Sequence, residues 1–309
     1  MKRPFFTRLP PKTADERLRI AAIGDPHQTK ALCRRLVLLP VYRDLSRRVQ
    51  PDAVLIPGDC TDNGNEENWR AFRRLTERLI GGRRLLIAMG NHDTWESYKT
   101  PHDYAPARER FLRHTNVLTG SEHTEVWFSC EIGGYPFLTL GPESTDTDGF
   151  LSDRQLAWFE TALAEAAAEH PGKPVFVLCH FPLNGTHGAG GRHGGGFVDD
   201  AVSRRLQAAL DRHENVFYIS GHLHFPLKGF RGLPPRSVER VGEHIVSVNL
   251  PCCEYGSVFM GGTELPGKGV LIRVYADRVE IGGRDHLFGR ALKQTAVTAP
   301  LTVPRAPSP

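Results

Sequence analysis

Residues 85–98 read LLIAMGNHDTWESY. An apolar run stops at Gly90, and Asn91, His92 and Asp93 follow at once. A short apolar run bounded by glycine reads as a buried strand. One polar residue at its end needs no special account, but three in succession suggest a site. The question is whether the rest of the chain supplies partners for them.

It does so at four other strand ends. RIAAIG (19–24) is followed by Asp25 and His27, and AVLIP (53–57) by Gly58 and Asp59. PVFVLC (174–179) is followed by His180, and NVFYIS (215–220) by Gly221, His222 and His224. Between these runs lie amphipathic segments that read as helices: EENWRAFRRLTERLI (66–80), SDRQLAWFETALAEAAAEH (152–170) and DDAVSRRLQAALDRH (199–213). A further helical region spans about 30–49, where Pro40 is expected to break or kink it, and a short helix lies near 105–114. Gly133-Gly134 between EVWFSCEI and YPFLTL signals a hairpin. After residue 237 short β segments dominate: HIVSVNL, YGSVFM, GVLIRVYA and RVEIGG. The pattern predicts one α/β domain, with two layers of sheet inside and helices outside.

In α/β sheets, ligand sites form beyond the carboxyl ends of the strands. The polar residues at the five ends should therefore converge across 200 positions of sequence. Asp25 and Asp59 taken singly could be helix caps or turn residues, but that leaves His27, two residues on, unexplained. Asp, Asn and His offer oxygen and nitrogen donors without thiolate, a set suited to Mn, Fe or Zn. Seven candidate ligands are too many for one ion and fit two ions sharing a carboxylate. Paired ions of that kind clamp the attacking and leaving oxygens of a phosphoryl displacement.

Composition narrows the classes. The chain has 309 residues, 40% of them hydrophobic, and a formal charge of +4. So mild and scattered a charge argues against a nucleic-acid partner. The N-terminal segment MKRPFFTRLPPKTADERL has no apolar core of a signal peptide, and no run is long enough for a membrane span. Six cysteines without a CxxC pair read as reduced thiols, which suggests a cytoplasmic protein. The expected layout is an N-terminal extension (1–17), a catalytic domain (18–290) and a Pro-rich, disordered tail (291–309).

Asp25-Pro26-His27, Gly58-Asp59, Gly90-Asn91-His92-Asp93, His180 and Gly221-His222-Leu223-His224 together resemble the ordered motif set of the calcineurin-like metallophosphoesterases. The resemblance spans roughly residues 18–225. It implies a four-layer α/β/β/α fold with a two-sheet β-sandwich flanked by helices. It implies that Asp25, His27, Asp59 and His224 hold a first metal, and that Asp59, Asn91, His180 and His222 hold a second, with Asp59 bridging. His92 would not bind metal; it would stabilise charge or protonate the leaving group, with Asp93 fixing its ring. Asp62-Asn63 stands where purple acid phosphatases carry a tyrosine ligand.

The motif pattern is similar to the cyclic-nucleotide phosphodiesterase and glycerophosphodiesterase-like group. This implies hydrolysis of a small-molecule phosphodiester by a metal-bound hydroxide, with two ions per chain. The alternatives are a phosphomonoesterase or phosphoprotein phosphatase on the same site, and a catalytically silent metal-binding scaffold. The loop NGTHGAGGRHGGGF (184–197) is expected to flank the site, with His187, Arg192 or His193 reaching substrate.

Overall fold

Strands β1 (Leu18–Ala22), β2 (Ala53–Ile56) and β3 (Arg84–Ile87) run parallel, in the register Ile20 with Ala53 and Ala53 with Arg84. The computed structural model describes residues 9, 11–80, 82–96, 103–189, 195–228, 237–257 and 263–302, the side chains of 32–35 excepted. On the far side of β1, β10 (Lys268–Val274), β11 (Arg278–Asp285) and β12 (Arg290–Pro300) follow antiparallel, giving the order β12-β11-β10-β1-β2-β3. The second sheet is built from β4 (Phe128–Ile132), β5 (Tyr135–Thr139), β6 (Val175–Leu178), β7 (Val216–Ser220), β8 (Val238–Val241) and β9 (Ile245–Asn249). Its order is β4-β5-β6-β7-β9-β8. The β4–β5 hairpin turns at Gly133 and Gly134, with φ of 62° and 80°, as a two-residue turn with both central residues left-handed requires.

The strands read as unbroken apolar runs because both faces are covered. Ile20 and Ala22 face the space between the sheets, with Leu55, Leu86, Phe176, Phe217 and Ile272. Ala21 and Ile23 face outward, among Leu38, Tyr42, Trp69 and Phe72 from the helices. Helices α1 (Leu32–Asp44), α2 (Glu66–Ile80) and α3 (Tyr104–Thr119) cover the first sheet, while α4 (Asp153–Glu169) and α5 (Asp200–Leu210) cover the second. The α2 stripe Trp69, Phe72, Thr76 and Ile80 is fully buried at helical spacing. Ser152 caps α4 by accepting from the Gln155 N–H at 3.2 Å. The expected two-sheet sandwich with flanking helices is what the chain forms.

Three expectations differ. Pro40 lies inside α1 without ending it, and the region closes instead with a π-helical turn, Leu45–Val49. The predicted strand at 255–260 is a turn through Ser257, and 258–260 lie outside the described residues. The predicted tail from 291 is strand β12 as far as Pro300, paired with β11 from Arg278–Pro300 to Asp285–Arg290. Leu292 and Ala299 are buried between the sheets, and Thr302 exchanges hydrogen bonds with Asn215 at 2.8 and 2.9 Å. An edge strand buries few of its side chains, so its apolar signal is sparse; residues 303–309 lie outside the described residues. Deleting 290–309 should expose the β11 edge and forfeit about 2 kcal/mol from Leu292 alone. A lower thermal midpoint is expected, and an unchanged midpoint would mean the strand does not dock.

Asp44, at the end of α1, accepts from Arg284 Nε and Nη2 at 2.6 and 2.9 Å and pairs with His286 Nδ1 at 2.8 Å. All three side chains are essentially inaccessible. Burial opposes ionisation of Asp44, but His286 and Arg284 override it and hold its pKa down to about 2. A depressed carboxyl pKa stabilises the fold above the ordinary value of about 3.9 and loses that contribution as pH falls toward 2. Asp44→Ala strands Arg284 in the interior and is expected to cost about 3–5 kcal/mol, measurable by urea unfolding at neutral pH.

Candidate dimetal centre

The carboxyl ends of β1, β2 and β3 in one sheet meet those of β6 and β7 in the other. Eight described non-glycine residues have positive φ, and five of them are Asp25, His27, Asp59, His222 and His224. L-residues adopt this region only when their surroundings hold them there. The backbone strain thus concentrates on the strand ends that carry the polar side chains. The glycines make room for them: a Cβ on Gly90 would fall 2.2 Å from Asp59 Oδ1, and one on Gly221 would fall 2.8 Å from Asp25 Oδ2.

Two groups of donor atoms result. In the first, Asp25, His27, Asp59 and His224 each offer one atom within 4.8 Å of the others. His27 Nε2 and His224 Nε2 stand 3.2 Å apart, and Asp59 Oδ2 lies 3.8 Å from His27 Nε2. In the second, His180 Nε2 is 3.0 Å from Asn91 Oδ1 and 3.3 Å from Asp59 Oδ2. His222 Nδ1 completes it, 3.1 Å from Asn91 Oδ1 and 3.2 Å from His180 Nε2. Asp59 belongs to both groups. All seven residues predicted as ligands therefore converge.

A profile of the calcineurin-like phosphoesterase family matches residues 18–226. The chain belongs to that family. It is a metal-dependent phosphoesterase. Among curated relatives it is similar to a probable cyclic nucleotide phosphodiesterase of Rhodopseudomonas palustris, 28% identical over 76% of this chain and 78% of that one. It is also similar to a probable glycerophosphodiester phosphodiesterase of Arcobacter nitrofigilis, 27% identical over 43% of this chain and 42% of that one. A dimetal phosphatase from Danio rerio shares the fold, with a TM-score of 0.56 at 13% identity over 92% of this chain and 99% of that one. Among the described residues no helix is long and apolar enough to cross a membrane.

The family's metals fit the residues present. Asp25 Oδ2 is buried with no hydrogen-bond partner, and the described residues give neither Asp25 nor Asp59 a Lys or Arg partner. Burial pushes the Asp25 pKa up to about 7, with His180 pulling it down and Asp59 adding to the rise. Burial also works against ionisation of Asp59, but His180 and His92 hold it well below its ordinary value. Burial keeps His27 low and pushes His224 down to about 3, so both rings are neutral and able to donate lone pairs. His180 Nδ1 faces the Pro57 carbonyl at 2.8 Å, which turns Nε2 toward the centre. Burial works against a charge on His180, but Asp59 and Asp25 raise its pKa to about 9, so a proton there occupies the place a cation would take between the two carboxyl groups.

His92 sits beside the two donor groups. Its ring lies 4.5 Å from His27 and 4.2 Å from Trp95, and Nε2 is 4.0 Å from Asp59 Oδ2. Nδ1 lies 2.8 Å from the Asp62 backbone carbonyl. That oxygen can only accept, so Nδ1 carries a proton and Nε2 is the working nitrogen.

The expected role of Asp93 is corrected by this geometry. Asp93 is fully buried and accepts from the N–H groups of Cys60, Thr61 and Gly90 at 3.3, 3.0 and 3.1 Å, and from Thr61 Oγ1 at 2.9 Å. It ties the loop after β2 to the loop after β3. The His92 ring is set by Asp62 instead.

The loop expectation also changes. His187 is buried, with Nε2 2.8 Å from Ser247 Oγ, so it packs on β9; Arg192 and His193 lie outside the described residues. Three neighbours escaped the sequence reading. Asp148 Oδ1 lies 3.8 Å from His222 Nε2. Tyr255 packs 5.1 Å from the His27 ring and donates to Asp62 Oδ1 at 2.8 Å. Cys252 lies against His27 and His224. The last two follow β9, which runs parallel to β7, so the strand-end rule applied once more would have found them.

Proposed function

We propose that the protein hydrolyses a small-molecule phosphodiester at a centre of two metal ions. Asp25, His27, Asp59 and His224 would hold one ion, and Asp59, Asn91, His180 and His222 the other. The observation that carries this reading is the pair of donor groups sharing Asp59, with His92 Nε2 alongside. Two bound metals supply Lewis-acid activation of water and neutralise phosphoryl charge. The donor set suits Mn, Fe or Zn.

The chain's own residues do the rest. His92, with Nδ1 anchored on the Asp62 carbonyl, presents Nε2 to the departing oxygen and moves a proton there. Trp95 packs against that ring, with the ring centroids 4.2 Å apart. The names of the two curated relatives support the diester preference. We also place the protein in a reducing compartment such as the cytoplasm, supported by the cysteines that are free among the described residues: Cys60, Cys130, Cys179, Cys252 and Cys253.

The test pairs metal analysis of purified protein with a hydrolysis panel holding a phosphomonoester, a bis-aryl phosphodiester, cyclic nucleotides and glycerophosphodiesters. Two metals per chain and faster turnover of a diester are expected. Faster turnover of the monoester would overturn the diester preference, and protein that binds no metal would overturn the whole reading.

A further inference from the structure

We propose that Cys252 supplies a thiolate to the first metal position, beside His27 and His224. This rests on the dimetal reading and adds a soft donor to a centre otherwise built from nitrogen and oxygen.

The argument begins with the backbone. After β9 the chain crosses to the end of β1: Gly24 and Cys252 form an isolated parallel bridge, and the Cys253 N–H donates to Gly24 O at 2.8 Å. This fixes Cys252 directly behind Asp25. Its thiol is fully buried, and Sγ lies within 4.8 Å of a ring nitrogen of each of His27 and His224, which are themselves within that distance of each other. Ligands held at about 2.0–2.3 Å from one ion stand up to roughly 4.5 Å apart, so a small adjustment lets the three atoms share an ion. A second observation bears on the same place: the Cys252 group shares His27 and His224 with the first donor group, in which Asp25 Oδ2 is buried without a partner.

The thiol has a local role that ligation would replace. Sγ donates to Asp25 O and accepts from the Tyr255 N–H, each at 3.3 Å. On metal binding the S–H proton leaves to solvent and the bond to Asp25 O is lost. The Tyr255 N–H remains aimed at sulfur, where it favours the thiolate. A sulfur donor shifts preference toward Zn, Fe(II) and Co(II) over Mn(II) at this position.

Cobalt(II) is the probe. Metal-free full-length protein loaded with cobalt should bind two ions per chain and show visible ligand-field bands plus a near-ultraviolet thiolate-to-cobalt charge-transfer band. Cys252→Ser should still bind cobalt, lose the charge-transfer band and bind the first ion ~10-fold or more weakly. Cadmium-113 resonance should likewise lose its thiolate-shifted signal in the variant. If Cys252→Ser does not fold, the wild-type spectrum decides alone. Bound cobalt without the charge-transfer band, or a Cys252→Ser protein that keeps both band and affinity, overturns the assignment while the dimetal reading stands. Failure to bind cobalt at all overturns both.

Discussion

Asp59→Asn is expected to abolish two-metal binding while leaving the fold intact. Asp59 Oδ1 accepts the His92 N–H at 2.9 Å, and an asparagine oxygen can keep that bond. Oδ2 faces His180 Nε2 at 3.3 Å and His27 Nε2 at 3.8 Å, between the two donor groups. An amide nitrogen placed there offers hydrogens where two cations need a lone pair. The substitution also removes the one carboxylate common to both groups, which, against the opposing effect of burial, His180 and His92 hold well below its ordinary pKa. Metal affinity should fall by more than the ~100-fold that loss of an outer-shell partner costs. The check is metal content after dialysis, alongside thermal unfolding of the metal-free forms. Two ions retained at wild-type affinity would remove Asp59 from the bridge. A collapsed melting midpoint in the metal-free form would show that the carboxylate holds the fold itself.

The candidate ligands were legible because they share one physical situation. Each follows an apolar strand buried on both faces, so the strand announces itself and the polar residue after it stands out. The partner of His92 was not legible in the same way. It is the carbonyl of Asp62, a group every residue carries, so no side-chain identity marks it. The adjacent Asp93 attracted the role by proximity in sequence. In the structure its carboxylate points back to Gly90, Cys60 and Thr61. Strand β12 was hidden for another reason: only Leu292, Thr295 and Ala299 of its residues are buried, and Pro300 closes it in a stretch that composition assigns to disorder. Cys252 and Tyr255 follow β9, a strand the sequence also announces, but a cysteine and a tyrosine do not stand out after an apolar run as Asp, Asn and His do.

His92→Ala should keep both metals and lower kcat by about 10²–10⁴, the range for a positioned acid–base group. The side chain lies outside the two donor groups that share Asp59, although a ring nitrogen comes within 4.8 Å of donor atoms of His27 and Asp62, and it is partly open to solvent at 16%. Its backbone N–H, which holds Asp59 Oδ1, survives the change. What is lost is a nitrogen fixed by a carbonyl on one side and by Trp95 against its ring, which the proposed mechanism sets beside the departing oxygen. Esters with poor leaving groups depend on that proton and should suffer most; aryl esters leave as stable phenolates and should suffer least. The ratio of alkyl to aryl turnover is therefore the diagnostic, since a general loss of structure would lower both alike. Asp93→Asn separates the two residues further. It should weaken the tie between the loops after β2 and β3, lowering stability and metal affinity together, without the leaving-group dependence. If His92→Ala loses metal, the residue is a ligand. If it keeps metal and full turnover of alkyl diesters, another group supplies the proton. If Asp93→Asn reproduces the alkyl-selective loss at full metal occupancy, the ring is oriented through Asp93 after all.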